Sequence, residues 1–227
     1  MSRMTSATPG GLGWLQMWRI ALLHPTVDAY SRISGDPKAR LIWAIFFTAS
    51  SSVIAWFTGP QRGLFYGVVA DYMGLEAALR FMLAGAIGAV IGGVMWLIVS
   101  AALSHAMARA MGGRGAFRQL AYCWGVIPFP FVVLAGLVMY LPALFPTSRS
   151  FVLSTPGLIV QLTTLFLFAA LMLYLSYAQL IALRAVEKIG LGKGLGILLL
   201  LGIAIGLALA CLSIALKDLP THLLGLG

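Results

Sequence analysis

Residues 81–108 read FMLAGAIGAVIGGVMWLIVSAALSHAMA, a run without a single Asp, Glu, Lys or Arg. At ~1.5 Å of rise per helical residue, such a run covers the ~30 Å hydrocarbon core of a bilayer with turns to spare. Uncharged runs at 41–61, 119–148, 150–183 and 194–216 share the property, and all 15 Lys and Arg residues fall between or outside them. A chain that is 61% hydrophobic and only 9% charged exposes too much apolar surface for water, so its solvent is lipid. The expected fold is all-α, a polytopic membrane helical bundle with five transmembrane helices over about 41–58, 81–104, 120–141, 158–182 and 195–216.

The basic residues that border these runs also predict orientation. Arg3, Arg19, Arg32, Lys38 and Arg40 precede the first span; Arg109, Arg114 and Arg118 follow the second; Arg184, Lys188 and Lys193 follow the fourth. The opposite connections hold only Arg62, Arg80, Arg149 and Lys217. Because Lys and Arg concentrate on the cytoplasmic side, the expected topology has the N-terminus cytoplasmic and the C-terminus outside. A net charge of +9 would suggest nucleic acid in a soluble protein. Flanking apolar helices, the same charge points to anionic headgroups, and no nucleic-acid partner is expected.

Residues 1–13 are rich in Ser, Thr, Gly and Pro and read as a disordered tail without a signal peptide. The segment 14–40 reads as cytoplasmic and interfacial, with a short helix carrying Trp14 and Trp18 and ended by His24 and Pro25. A second short helix over 27–33 is followed by the breaker Ser34-Gly35-Asp36-Pro37. Residues 41–227 form one membrane domain, too short to hold a second folded unit.

Small residues mark the expected helix contacts. Ala84, Gly88 and Gly92 form one ridge of the second span, Gly85, Ala89 and Gly93 the next, and Gly202, Gly206 and Ala210 repeat the spacing in the fifth. Such ridges let helix backbones approach closely, so the second and fifth spans are expected to pack face to face within the chain, with a homo-oligomer as the other use. Pro128 and Pro130 kink the start of the third span and free backbone carbonyls there.

Catalysis finds no foothold in these patterns. None of the spans contains an ionisable acidic or basic side chain, against proton-driven transport. Their polar residues, Thr48, Ser50, Ser51, Ser52, Gln161, Thr163, Thr164 and Gln179, suit hydrogen bonds between helices. His24, His105 and His222 are not expected to converge, Cys123 and Cys211 are not expected to pair, and metal-ligand spacings are missing, so no catalytic residue, metal or cofactor is expected. Residues 190–196, GLGKGLG, lack the GKS or GKT ending of a phosphate loop and read as a turn between helices.

The most distinctive segment is 111–128, MGGRGAFRQLAYCWGVIP. Its paired glycines, Phe117 three residues after Arg114, and Gly125 followed by Pro128 resemble the bacterial branch of the Yip1 domain family. Pro25, Tyr30 and Ile33 ahead of the first span resemble that family's opening segment, and the likeness extends over roughly residues 14–216. The resemblance implies an integral membrane protein, here of a bacterial inner membrane. Eukaryotic relatives bind small GTPases through a long cytoplasmic extension that residues 1–40 are not expected to supply, so GTPase binding is not carried over. Gly112, Gly113 and Gly115 would let the loop reverse, with Arg114 and Arg118 on phosphate headgroups or an acidic partner and Phe117 inserted at the interface.

Two functions follow as expectations. The first is a non-enzymatic membrane organiser or accessory subunit whose basic face, including Arg184, Lys188 and Lys193, meets anionic lipid or another membrane protein. The alternative is a transporter or channel for a small neutral or lipidic solute, using the kinked third span and the Ser/Thr face of the first.

Overall fold

A computed structural model describes residues 12–37, 39–58, 74–144 and 154–217. Among these, regular structure is helical throughout: α1 (Trp14–Leu23), α2 (Val27–Ser34), α3 (Leu41–Thr58), α4 (Leu75–Ala110), α5 (Phe117–Val126), α6 (Pro128–Met139), a 3-10 turn at Leu141–Leu144, α7 (Thr155–Glu187) and α8 (Leu191–Lys217). Arg62, Arg149, Lys38, His222, most of the expected tail and most of the connection between the first two spans lie outside the described residues. Four segments are long and apolar enough to cross a membrane: Leu41–Thr58, Leu75–Ala110, Phe117–Met139 and Thr155–Glu187. The apolar character returns in α8 over Leu191–Leu207.

Local chemistry sets the ends of these helices. The Thr26 side chain accepts from the Ala29 N–H at 3.2 Å to start α2, and the Ser154 side chain accepts from Gly157 at 3.3 Å to start α7. Between α5 and α6, Ile127 keeps helical dihedrals of −64° and −43°, so the chain continues while the hydrogen-bond ladder is interrupted. Pro128 and Pro130 have no N–H to offer the carbonyls of Trp124 and Val126 four residues earlier.

The broken third span is the centre of the bundle. Its apolar window is 56% buried, against 17% for α3 and 6% for each of α4 and α7. Residues from Leu120 to Ile127 are all buried, enclosed by α3, α4, α2 and α7. The lipid-facing surface carries Ile87, Ile91 and Met95 of α4, Leu162, Leu165 and Phe166 of α7, and Leu199, Ile203 and Leu207 of α8, all exposed.

The N-terminal segment is more than an interfacial appendage. Met17, Ala21, Tyr30 and Ile33 belong to the buried core at 0% exposure. Trp18 stacks on Phe129 at 5.0 Å and meets Phe47 edge-on at 5.4 Å, while Trp14 contacts Trp43 and Phe47. Tyr174 donates to the Leu22 carbonyl at 2.6 Å, giving the open C-terminal end of α1 a partner within the bundle. Burial raises the Tyr30 phenol above its ordinary pKa, which keeps it protonated where it faces the Ala21 carbonyl at 3.4 Å.

Helix rotation corrects the expected glycine contacts. A Cβ at Gly85 would collide with the Trp56 ring, and one at Gly93 with Ser52 Oγ, so this ridge receives α3. At Gly88, Gly92, Gly202 and Gly206 an added Cβ meets nothing within 4 Å, although α8 does pack against α4. The bulky rings of α3 need the notch at Gly85, and turning that ridge inward leaves Gly88 beside Ile87 and Ile91 on the outer face. Gly88→Leu is therefore expected to change the unfolding midpoint in detergent by no more than about 0.5 kcal/mol equivalent, as at other unconstrained surface sites. A large loss of folded protein would show that this ridge packs after all.

Polar side chains in the spans are also satisfied differently from expectation. Ser50, Ser52, Ser100, Thr164 and Ser176 donate to carbonyls of their own helix, four residues back, at 2.6 to 2.9 Å. Within lipid the nearest acceptor is the helix's own backbone, and no neighbouring helix is needed to supply one.

Candidate functional site: a latched basic loop and an intramembrane cavity

The loop of Gly-Arg-Gly sequence is built from the end of α4. Gly112 has φ +89°, a left-handed conformation that favours glycine, and it lets two hydrogen bonds close the helix. Its N–H donates to Arg109 O at 3.1 Å, and the Gly113 N–H donates to Ala108 O at 2.7 Å, the paired arrangement of a Schellman cap. Lys193 Nζ then reaches the Met111 carbonyl at 2.7 Å, tying the start of α8 to the same turn.

Glu187, the last residue of α7, holds this loop in place. Its side chain is fully buried at 0% exposure, so its lone pairs require partners from protein. One oxygen lies 2.6 Å from His105 Nδ1 and the other accepts the Gly115 N–H at 3.0 Å. The Glu187 backbone carbonyl accepts from Arg114 N–H at 3.0 Å, which caps α7. A Cβ at Gly113 would stand 2.8 Å from Ala108 O, and one at Gly115 would stand 2.5 Å from Val186 O and 2.8 Å from the carboxylate. Glycine is thus required here for close approach, and two segments 72 to 82 residues apart are latched by one carboxylate.

With the acid turned inward, the cations turn out. Arg109, Arg114, Arg118, Lys188 and Lys193 are all exposed around the latch. Arg184 is half-buried, lying along Gly194 of α8, and its Nε has no partner. Phe117 corrects the expectation of an inserted side chain: half-buried, it packs on the core with its ring 6.1 Å from His105.

His105 and Glu187 are the residues that reading the sequence missed. Glu187 had a signal, being the only acidic residue between Glu76 and Asp218 in a chain rich in bordering cations. Nothing in the spacing indicated that His105 would meet it. His24 is exposed at the end of α1, and Cys123, which is buried, and Cys211, which is exposed, are both free thiols. Among the described residues no group of His, Cys, Asp and Glu could hold a metal ion.

Deeper in the bundle, a cavity of about 250 Å³ adjoins Pro128. Thr48, Ser51 and Ser52 of α3, Ser100 of α4, Trp124 and Gly125 of α5, and Gln179 of α7 contribute to its wall. It therefore joins the proline break to the Ser/Thr face of the first span.

Neither curated proteins nor solved structures match the chain. The Yip1 domain profile does match, over residues 20–214, which takes in α2 to α7, the latched loop and nearly all of α8. A match spanning most of the sequence carries the conclusion that this helical membrane protein belongs to the Yip1 domain family.

Proposed function

We propose that this chain is a non-enzymatic membrane organiser that binds anionic lipid headgroups, or the acidic surface of another membrane protein, through its latched basic end. The observation that carries this reading is the inward burial of Glu187 beside five exposed cations. Buried against His105 and the Gly115 N–H, the carboxylate fixes the loop and leaves the exposed positive groups facing the headgroups. In this reading the basic end faces the cytoplasm of a bacterial cell, the protein lies in the inner membrane, and α8 completes a topology of five spans. A movable arginine loses more entropy on binding than one on a fixed loop, and the latch supplies that preorganisation.

Native mass spectrometry of the protein extracted from mixed phosphatidylglycerol and phosphatidylcholine tests the proposal. The wild type is expected to retain the anionic lipid selectively. At ~1 kcal/mol per cation near an anionic surface, Arg114→Ala with Arg118→Ala weakens that retention by about thirtyfold. Equal retention of both lipids by the two proteins would refute it. The transporter or channel reading draws on the cavity beside Pro128, and selective flux of a neutral solute from reconstituted vesicles would raise it above the first.

A further inference from the structure

We infer that the cavity beside Pro128 is a binding site for a neutral glyceride, a lipid with ester carbonyls and a free hydroxyl but no charged headgroup. Three observations meet there. Ser51 and Trp124 line it at 7% and 6% exposure, and Ser51 Oγ and Trp124 Nε1 are both buried without a hydrogen-bond partner. The indole N–H can only donate, and Ser51 also has a proton to give, so the missing partner carries acceptor oxygens. Pro128 supplies no N–H to the Trp124 carbonyl, so that carbonyl lacks its usual helical donor four residues on, and both residues line the same wall.

Charge and depth narrow the class. None of the lining residues is ionisable, so nothing there would compensate a phosphate or an amine taken out of water. Thr48 to Ala55 lie about 10 to 20 Å along α3 from its first residue, at ~1.5 Å per residue. That depth is well inside a hydrocarbon core of ~30 Å, below the level where a phospholipid headgroup is solvated. A glyceride without such a headgroup can sink to it.

Access comes from the side. Trp96 of α4 lines the cavity at 53% exposure, and Ala55 of α3 lines it and is exposed as well, so its wall reaches the lipid-facing surface on both helices. Leu97, Val132 and Leu175 supply apolar wall for acyl methylenes. At a liquid share of ~30 Å³ per molecule a space of this size exceeds one water, and a wall so largely apolar does not suit a cluster of them. The inference stands apart from the basic end, which no part of it uses.

The test uses the full chain in phosphatidylcholine vesicles containing dioleoylglycerol with a diazirine beside its ester. Expected crosslinks fall on the peptides of α3 and of α5 with α6, and unlabelled dioleoylglycerol competes them away. With each hydrogen bond contributing ~1 kcal/mol, Ser51→Ala and Trp124→Phe each reduce this labelling about fivefold. Unfolding midpoints verify that both variants remain folded, and competition in the wild type decides the matter if one does not. Phosphatidylcholine bearing the same diazirine is expected to label only the lipid-facing surface, including the outer faces of α4, α7 and α8. Labelling of the cavity by both lipids alike, glyceride labelling confined to outer faces, labelling that resists competition, or labelling unchanged in folded variants would each overturn the inference.

Discussion

Glu187→Leu is expected to lower the stability of the folded bundle by about 3 kcal/mol, the range seen when one member of a buried polar pair is removed. The loss follows from what stays behind. His105 and the Gly115 N–H keep their half-buried positions but lose the carboxylate 2.6 and 3.0 Å away, and leucine offers them no acceptor. Glu187→Gln keeps the shape and one acceptor oxygen for Gly115, so its cost is nearer 1 kcal/mol, that of one imperfectly replaced hydrogen bond. Two measurements check the order of these effects. Denaturant unfolding in mild detergent should rank wild type above Glu187→Gln above Glu187→Leu. Limited trypsin digestion should cut after Arg114 and Arg118 faster in the leucine variant, because release of the latch exposes the loop backbone. Equal midpoints and equal cleavage rates would mean that the carboxylate does not hold the loop.

Gly125→Leu should be as damaging, by the opposite mechanism. Where Glu187→Leu empties a polar contact, this change forces atoms into a filled one. A Cβ at Gly125 would lie 2.6 Å from the Ala44 carbonyl oxygen and 2.7 Å from Ala44 Cα. Those are backbone atoms, so α3 and α5 must separate instead of a side chain turning aside. Overpacking of a buried contact costs about 3 kcal/mol at the upper end of its usual range. The expected result is loss of most monodisperse protein on extraction, with Gly125→Ala intermediate and Gly88→Leu unchanged. Recovery of Gly125→Leu at the wild-type level would show that the two helices are not in backbone contact.

The order of these three glycine variants shows how far the sequence could be read. The two glycines sit in a four-residue pattern and three residues before a proline, and hydropathy marks their helices as membrane spans. It does not say which side of a span faces protein. Ile87 faces lipid and Leu97 faces the core, yet both are aliphatic, because lipid tails and a protein interior are equally apolar. A soluble helix would have shown its rotation through a polar stripe. For the same reason the burial of Met17 and Ala21 was hidden, since an interfacial helix and a docked one have the same composition.

The site divides along similar lines. Arg114, Gly112 and Pro128 stood out by residue type, since glycine and proline act through their own backbone and cations at a span boundary act through the membrane field. His105 did not, and Glu187, although the lone acid between Glu76 and Asp218, did not show its role, because their meaning depends on each other across 82 residues. Ser51 is a parallel case: Ser50 and Ser52 bond to their own helix, and only the folded bundle shows that the residue between them is buried without a partner.

By itself the sequence determined the solvent of this protein, the helical character of its apolar runs, the proline break in the third and the basic boundary loops. These properties follow from local quantities: the cost of placing charge in hydrocarbon, the rise of a helix per residue, and the missing N–H of proline. Tertiary structure alone decided the rotation of each helix, the docking of α1, the inward turn of Glu187 and the cavity at Ser51 and Trp124. Those depend on which side chains from distant segments fit together, and in a bilayer the hydrophobic effect that would point one face inward no longer distinguishes inside from outside.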